Sequence, residues 1–221
     1  TSTFLQTMIE DVLPLMAQQN LASFIDVFCE KGYFSVAEME QLLEAASTYG
    51  LVPKVHVNQF TAMGGIVAAV RHHARSVDHL EVLEPEDIKA LQNTKTIPVA
   101  LPACSYFLGI PYTAARSLMD AGLSLALASD YNPGSAPSGN MNFVVSTACI
   151  KMKMTPEEAI NAATINGAYA MGLEDEVGSI TVGKQAHLIL TQPIESYGIL
   201  PYAFGSDLIE QVYIQGEKIR S

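Results

Sequence analysis

Two histidines and an aspartate stand at the ends of short apolar runs. His56 falls in Val52-Pro53-Lys54-Val55-His56-Val57, His79 in Ser76-Val77-Asp78-His79-Leu80, and Asp130 closes Ser124-Leu125-Ala126-Leu127-Ala128-Ser129-Asp130. Two imidazole nitrogens and a carboxylate oxygen suit a borderline divalent cation such as zinc or iron. A cation of that kind acidifies water and polarises a carbonyl, so the chemistry suggested is hydrolysis, with His79 and Asp130 as proton carriers. Each residue alone has a plainer use: a strand-end histidine can simply hydrogen-bond, and Asp130 can cap its loop through an Asx turn. Recurrence at three strand ends argues for a shared site. Cys29-Glu30 ends a fourth run and is a candidate for a supporting role. Beyond Asp130, Asn132-Pro133-Gly134-Ser135 reads as a turn. Beside a metal, its donors could also hold a substrate carboxylate or carbonyl.

The runs that carry these residues alternate with helices. Strands are expected at 24–30, 52–57, 76–80, 97–102 and 124–130, each mostly apolar along its length, as strands covered on both faces are. Between them, helical spacing or capping signals mark 6–22, 35–49, 62–73, a helix opening at Glu84-Pro85, and 112–121. The alternation predicts a parallel sheet in a βα array, where sites form at the C-terminal strand ends. After a Pro, Gly, Ser and Asn loop at 131–140, two helices are expected at 141–152 and 155–171. Strands follow at 178–183 and 187–190, with a turn at Gly216 between the last two. These end segments depart from the βα rhythm and suggest a small appended β-domain.

Composition sets limits on function. The chain has 221 residues, 12 Lys+Arg against 23 Asp+Glu, and a formal net charge of −11. That balance argues against nucleic acid, whose phosphates need clustered cations. No stretch approaches the ~20 apolar residues of a membrane-spanning helix, and no basic leader opens the chain. An intracellular soluble protein is therefore expected. Cys29, Cys104 and Cys149 are odd in number and lack C-x-x-C spacing, which speaks against a disulfide framework or a cysteine zinc site. His72-His73 ends a helix, where a cation suits the dipole, and His187 lies in the β-region. Met152 and Met154 read as packing. Apolar residues reach 49%, an apolar surplus matched by a charged share of only 16% against the usual ~25%.

These stretches resemble the amidohydrolase superfamily, and within it the imidazolonepropionase family. The motifs are Phe28-Cys29-Glu30-Lys31-Gly32, Lys54-Val55-His56-Val57-Asn58-Gln59-Phe60, Ser76-Val77-Asp78-His79-Leu80 and Ser129-Asp130-Tyr131-Asn132-Pro133-Gly134-Ser135. Leu101 to Leu108, Met154 to Ala159 and the less specific Gly178 to Ala186 add to them. The resemblance implies an α/β (β/α)8 TIM barrel of the amidohydrolase type, with strands four to eight in residues 1–175. Residues 176–221 would be the C-terminal part of a composite β-sandwich. It implies that His56 and Asp130 are metal ligands for one zinc or iron ion, and that His79 contacts the attacking water or the substrate. Gln59, Asn132, Gly134 and Ser135 would bind substrate. Gln59 stands where better-known members carry glutamate; its amide cannot act as a base but can hydrogen-bond a ring. The implied reaction is hydrolysis of a cyclic amide C–N bond, turning 4-imidazolone-5-propanoate into N-formimidoyl-L-glutamate in histidine degradation. The partners implied are a small-molecule substrate and a second copy in a cytoplasmic homodimer, with no nucleic acid and no membrane.

Two alternatives stay open: another amidohydrolase such as a deaminase, or an inactive piece. The family's first-strand His-x-His pair has no match in this sequence and would precede residue 1. Five βα strands do not close an eight-stranded barrel, which accounts for the apolar surplus and predicts association of the isolated chain. Sedimentation velocity checks this: oligomers are expected, and a well-behaved monomer would contradict it.

Overall fold

A computed structural model describes residues 2–220, which fall into two compact units. The first runs to Ala100 and includes Ser117–Leu123; the second comprises Leu101–Arg116 and the chain from Ser124 onward.

In the first unit the opening helix runs as α1 (Ser2–Thr7), a wide π turn over Met8–Val12, and α2 (Leu13–Gln18). The expectation was one helix over 6–22. Pro14 lies just past the wide turn; it has no N–H to donate and its ring crowds the carbonyl one turn back, which accounts for the widening. Then β1 (Phe24–Cys29), α3 (Val36–Ser47), β2 (Val52–Val57), α4 (Gly65–Arg71), β3 (Ser76–His79), α5 (Pro85–Leu91) and β4 (Ile97–Ala100) follow in βα rhythm. The four strands lie side by side in chain order and all parallel. Ser35 and Glu38 form the expected capping box of α3, and Glu84 with Asp87 forms another at α5.

The helix-facing side of the sheet is dry. Val27, Val55, Val57 and Val77 on the strands and Met39, Leu43, Ile66 and Leu91 on the helices are all fully buried or nearly so, with α3 on β1 and β2 and α4 on β2. Helix α4 comes so close that a Cβ on Gly65 would stand 2.6 Å from Val57 Cγ2 and 3.2 Å from Cys29 Sγ.

The second unit opens with α6 (Pro102–Leu108), a helix not expected from the sequence, whose first residue is the last of the strand expected at 97–102. Pro102 takes the first helical position, where its missing N–H costs nothing, and Gly109 ends the helix at φ +66°. Helix α7 (Ala115–Asp120) begins in this unit and ends among residues of the first. Strand β5 is only Ala126–Leu127, followed by α8 (Met141–Met152), α9 (Pro156–Ala163) and α10 (Ile165–Ala170). One helix was expected across 155–171. It breaks at Thr164, whose backbone leaves helical geometry (φ −116°, ψ −87°) while its hydroxyl donates back to Ile160 O at 2.7 Å, a side-chain bond that competes with the helix ladder. Arg116 holds Glu158 in a forked pair at 2.9–3.1 Å, and Asn166 Nδ2 donates to Leu125 O at 2.9 Å.

Residues 178–183 form turns, not the expected strand. Gly178 and Gly183 adopt φ of +88° and +97°, and a Cβ on Gly178 would fall 2.6 Å from Ala168 Cβ. An antiparallel sheet follows, made of β6 (Leu188–Thr191), β7 (Ile209–Ile214) and β8 (Glu217–Arg220), with a short helix α11 (Ile199–Tyr202), unexpected from the sequence, between β6 and β7. The β7–β8 turn is Gln215-Gly216, both at positive φ, as a two-residue hairpin requires.

Gly65→Ala is expected to destabilise the first unit by about 1–3 kcal/mol, because β-branched Val57 cannot yield without shifting the sheet. Urea denaturation checks it: a lower midpoint at unchanged slope is the expected result.

Candidate active site

Parallel pairing sets which side chains share a face. Asp26 lies opposite Lys54, and Phe28 opposite His56; Lys54 lies opposite Ser76, and His56 opposite Asp78. Residues in register on parallel strands point the same way. Asp26, Lys54, His56, Ser76 and Asp78 therefore form a polar row on the sheet face away from the helices. Within it, His56 Nδ1 meets the Asp26 carboxylate at 2.9 Å. Lys54 Nζ donates to Ser76 Oγ at 2.6 Å, and Ser76 Oγ donates to Asp78 Oδ1 at 2.6 Å. Burial pushes the Asp78 carboxyl above the usual carboxylate range, against the opposing pull of Lys54, His56 and the Ser76 hydroxyl.

His79 departs from simple alternation. It is in register with Val57, which packs on the helix side, yet its ring lies 5.4 Å from the His56 ring, edge to face. The backbone accounts for this: His79 and Leu80 take φ of +87° and +61°. Left-handed geometry in a residue with a Cβ costs about 1–3 kcal/mol and collects at functional sites. Here it turns the last strand residue back toward His56. Glu81, also buried, lies 3.6 Å from His79 Nδ1.

Gln59 is buried and held between two clamps. On one side Asn58, at φ +56°, donates through Nδ2 to Val82 O (3.0 Å) and Asp87 Oδ2 (2.9 Å). On the other, the buried Glu30 carboxylate accepts from the N–H groups of Lys31 (2.9 Å), Phe60 (2.9 Å) and Thr61 (3.3 Å), and from the Thr61 hydroxyl. Burial acts to raise the Glu30 carboxyl, but those hydrogen bonds together outweigh it and hold it below the ordinary value of 4.5. The loops after β1, β2 and β3 are thereby tied together. Burial, with the charges of Glu30 and Glu40, pushes the Cys29 thiol up to about 11. It is a neutral packing residue under α4.

In the second unit, Asp130 stands at φ +51° after β5. Asn132 organises the loop that follows. Its Nδ2 donates to Asp130 O (2.7 Å) and Ser135 Oγ (2.9 Å), and its Oδ1 accepts from Gly134 N (2.9 Å) and Ser135 N (2.8 Å). Ser135 Oγ reaches Asp130 Oδ2 at 3.5 Å. The two N–H groups that the sequence offers to a substrate are thus engaged by Asn132. The loop is preformed around Asp130.

Of the predicted residues, the structure brings His56, His79 and Gln59 to the strand ends of the first unit, and gathers Asp130, Asn132, Gly134 and Ser135 in one loop of the second. His187 is exposed and bonds Gln185; His72 closes α4. Asp26, Lys54, Ser76 and Asn58 were missed, since strand register and loop clamps are not visible in the chain. A carboxylate three residues before the end of the neighbouring strand was the available signal for Asp26.

Residues 30–219 match the model of the amidohydrolase family, and the chain belongs to it. It is 64% identical over 216 residues to an imidazolonepropionase of Flavobacterium johnsoniae, covering 98% of this chain and 53% of that protein. It is 43% identical over 217 residues to the imidazolonepropionase of Parabacteroides distasonis, with 98% and 52% covered. The chain thus spans about half the length of the curated relatives it matches. Among solved structures, an ochratoxinase of A. niger superimposes with a TM-score of 0.76 at 21% identity, covering 96% of this chain and 55% of that one. A zinc-bound adenosine deaminase of Xanthomonas campestris gives 0.73 at 22%, covering 89% and 51%. The fold is the α/β barrel type of these hydrolases. Among the described residues, no helix is long and apolar enough to cross a membrane.

Glu30→Gln is expected to destabilise most at neutral pH. A carboxyl held below 4.5 adds stability above that value and loses it as pH falls through its lower folded value. The gap in Tm between wild type and Glu30→Gln should therefore close on acidification below about pH 4, and a gap independent of pH would contradict the clamp.

Proposed function

We propose that this chain carries part of the active site of a metal-dependent hydrolase that opens the ring of 4-imidazolone-5-propanoate to give N-formimidoyl-L-glutamate, a step of histidine degradation. The observation that carries this reading is the 64% identity to a curated imidazolonepropionase over 216 residues. The donor chemistry supports it: two imidazoles with ring centres 5.4 Å apart at the ends of neighbouring strands, and a carboxylate in a loop already organised around it. His56 and Asp130 would hold one zinc or iron ion. When bound, such an ion acidifies water and polarises the ring carbonyl.

The chain's own residues supply the rest. Asp130 takes a proton from the attacking water as the new C–O bond forms. His79 delivers a proton to the ring nitrogen as the C–N bond breaks, so that nitrogen leaves as a neutral amidine. Gln59 hydrogen-bonds the imidazolone ring, a role its amide can fill without proton transfer. Ser135, beside Asp130, offers a hydroxyl to substrate, while Asn132 and Gly134 keep that loop in shape. The same reading places the enzyme in the cytoplasm as a homodimer, without nucleic-acid or membrane partners, and assigns residues 176–221 to the composite β-sandwich.

In protein carrying this whole chain, Asp130→Ala and His79→Ala are each expected to lower kcat on 4-imidazolone-5-propanoate by about 10²–10⁴-fold. Only Asp130→Ala should also lose metal. Near-wild-type turnover in Asp130→Ala would overturn the assignment, and ammonia release in place of ring opening would show a deaminase. Stripping metal and restoring activity with zinc or iron separately identifies the ion.

A further inference from the structure

We infer that Asp26 is the positioning residue of His56, fixing which ring nitrogen carries the proton and turning the other toward the cation. The inference rests on the metal-site reading above. A histidine that ligates a metal through one nitrogen must donate its other N–H somewhere, and a carboxylate is a common acceptor that fixes both tautomer and ring orientation.

The register supplies the geometry. His56 lies opposite Phe28, while Asp26 sits two residues further back along β1, on the same face of the sheet. Its carboxylate meets His56 Nδ1 at 2.9 Å, a charge-assisted distance. With Nδ1 drawn back along the sheet, the ring directs Nε2 toward the strand ends, where the His79 ring lies 5.4 Å away. Lys54, between Asp26 and His56 in the polar row, gives its ammonium to Ser76 at 2.6 Å, and Ser76 donates on to Asp78. Within the row, Lys54 thus bonds toward the Ser76–Asp78 end, while His56 meets Asp26. Asp26 has no place in the proposed proton transfers. It acts through His56 alone.

The test reads the tautomer directly, apart from any activity. Nitrogen-15 spectra of histidine-labelled, metal-free chain at about pH 8.5, well above the ordinary histidine value of ~6.5, should show His56 with its proton on Nδ1. Free imidazole side chains favour the other form. Asp26→Ala should return His56 to the Nε2–H form, whereas Asp26→Asn, whose Oδ1 still accepts, should keep Nδ1–H. Zinc affinity of protein carrying this whole chain, measured by competition with a chromophoric chelator, should fall about 10–100-fold in Asp26→Ala and less in Asp26→Asn. Circular dichroism and the tautomers of His72 and His187 report whether the variants keep their fold; should Asp26→Ala unfold, Asp26→Asn and Asp26→Leu carry the comparison. An unchanged His56 tautomer in a folded Asp26→Ala or Asp26→Leu chain overturns the inference, as does equal zinc affinity in wild type and Asp26→Ala. Protein carrying this whole chain that binds no zinc, with the His56 tautomer still set by Asp26, would instead overturn the metal-site reading and leave the positioning role standing.

Discussion

The site in the first unit depends on the parallel register of β1, β2 and β3. Backbone ladders hold Asp26 opposite Lys54, and His56 between Phe28 and Asp78. A slip of one residue would carry each polar side chain to the helix side of the sheet and bring valines into its place. The apolar side enforces the register: Val27, Val55, Val57 and Val77 are buried, α3 packs on β1 and β2 and α4 on β2, and Gly65 lets α4 approach too closely for any side chain. Dry packing on one face thus fixes the chemistry on the other. That is the division of labour expected where loops and strand ends carry function on a rigid sheet.

Two buried polar residues extend this order beyond the strands. Glu30 and Asn58 supply the partners that irregular backbone needs when it leaves solvent, the first for the N–H groups of the β2–α4 loop, the second for the β3–α5 loop. Gln59 is placed between them. In the second unit Asn132 has the same office around Asp130, with five side-chain hydrogen bonds inside its own turn. Preformed loops of this kind bind without having to order themselves first, which lowers the cost of recognition.

Much of the fold was legible in the chain because its signals are local. The apolar runs became β1 to β4 nearly at their expected bounds, and the Ser35–Glu38 and Thr155–Glu158 boxes opened α3 and α9 where the spacing put them. The errors have local causes too. Pro102 closed an expected strand but starts α6, since proline fits either role until the neighbours decide. The alternating Ile180 and Val182 suggested a strand, but two glycines at positive φ turn the segment away, and both side chains stay exposed. The break at Thr164 has no periodicity signal at all.

For the candidate site, residue type and place along the chain single out His56, His79 and Asp130, because strand ends are where such a fold collects its polar groups. The family itself was readable from the motifs around them. Tertiary structure alone decided the rest. Period-two alternation would set His79 on the helix side with Val57, and only the left-handed turn at His79 and Leu80 brings its ring beside His56. Asp26 lies thirty residues from His56 in the chain and becomes its neighbour only through strand pairing. Sequence determines which groups can ionise, ligate or donate; which of them meet is settled by register and backbone handedness, and those are properties of the packed sheet.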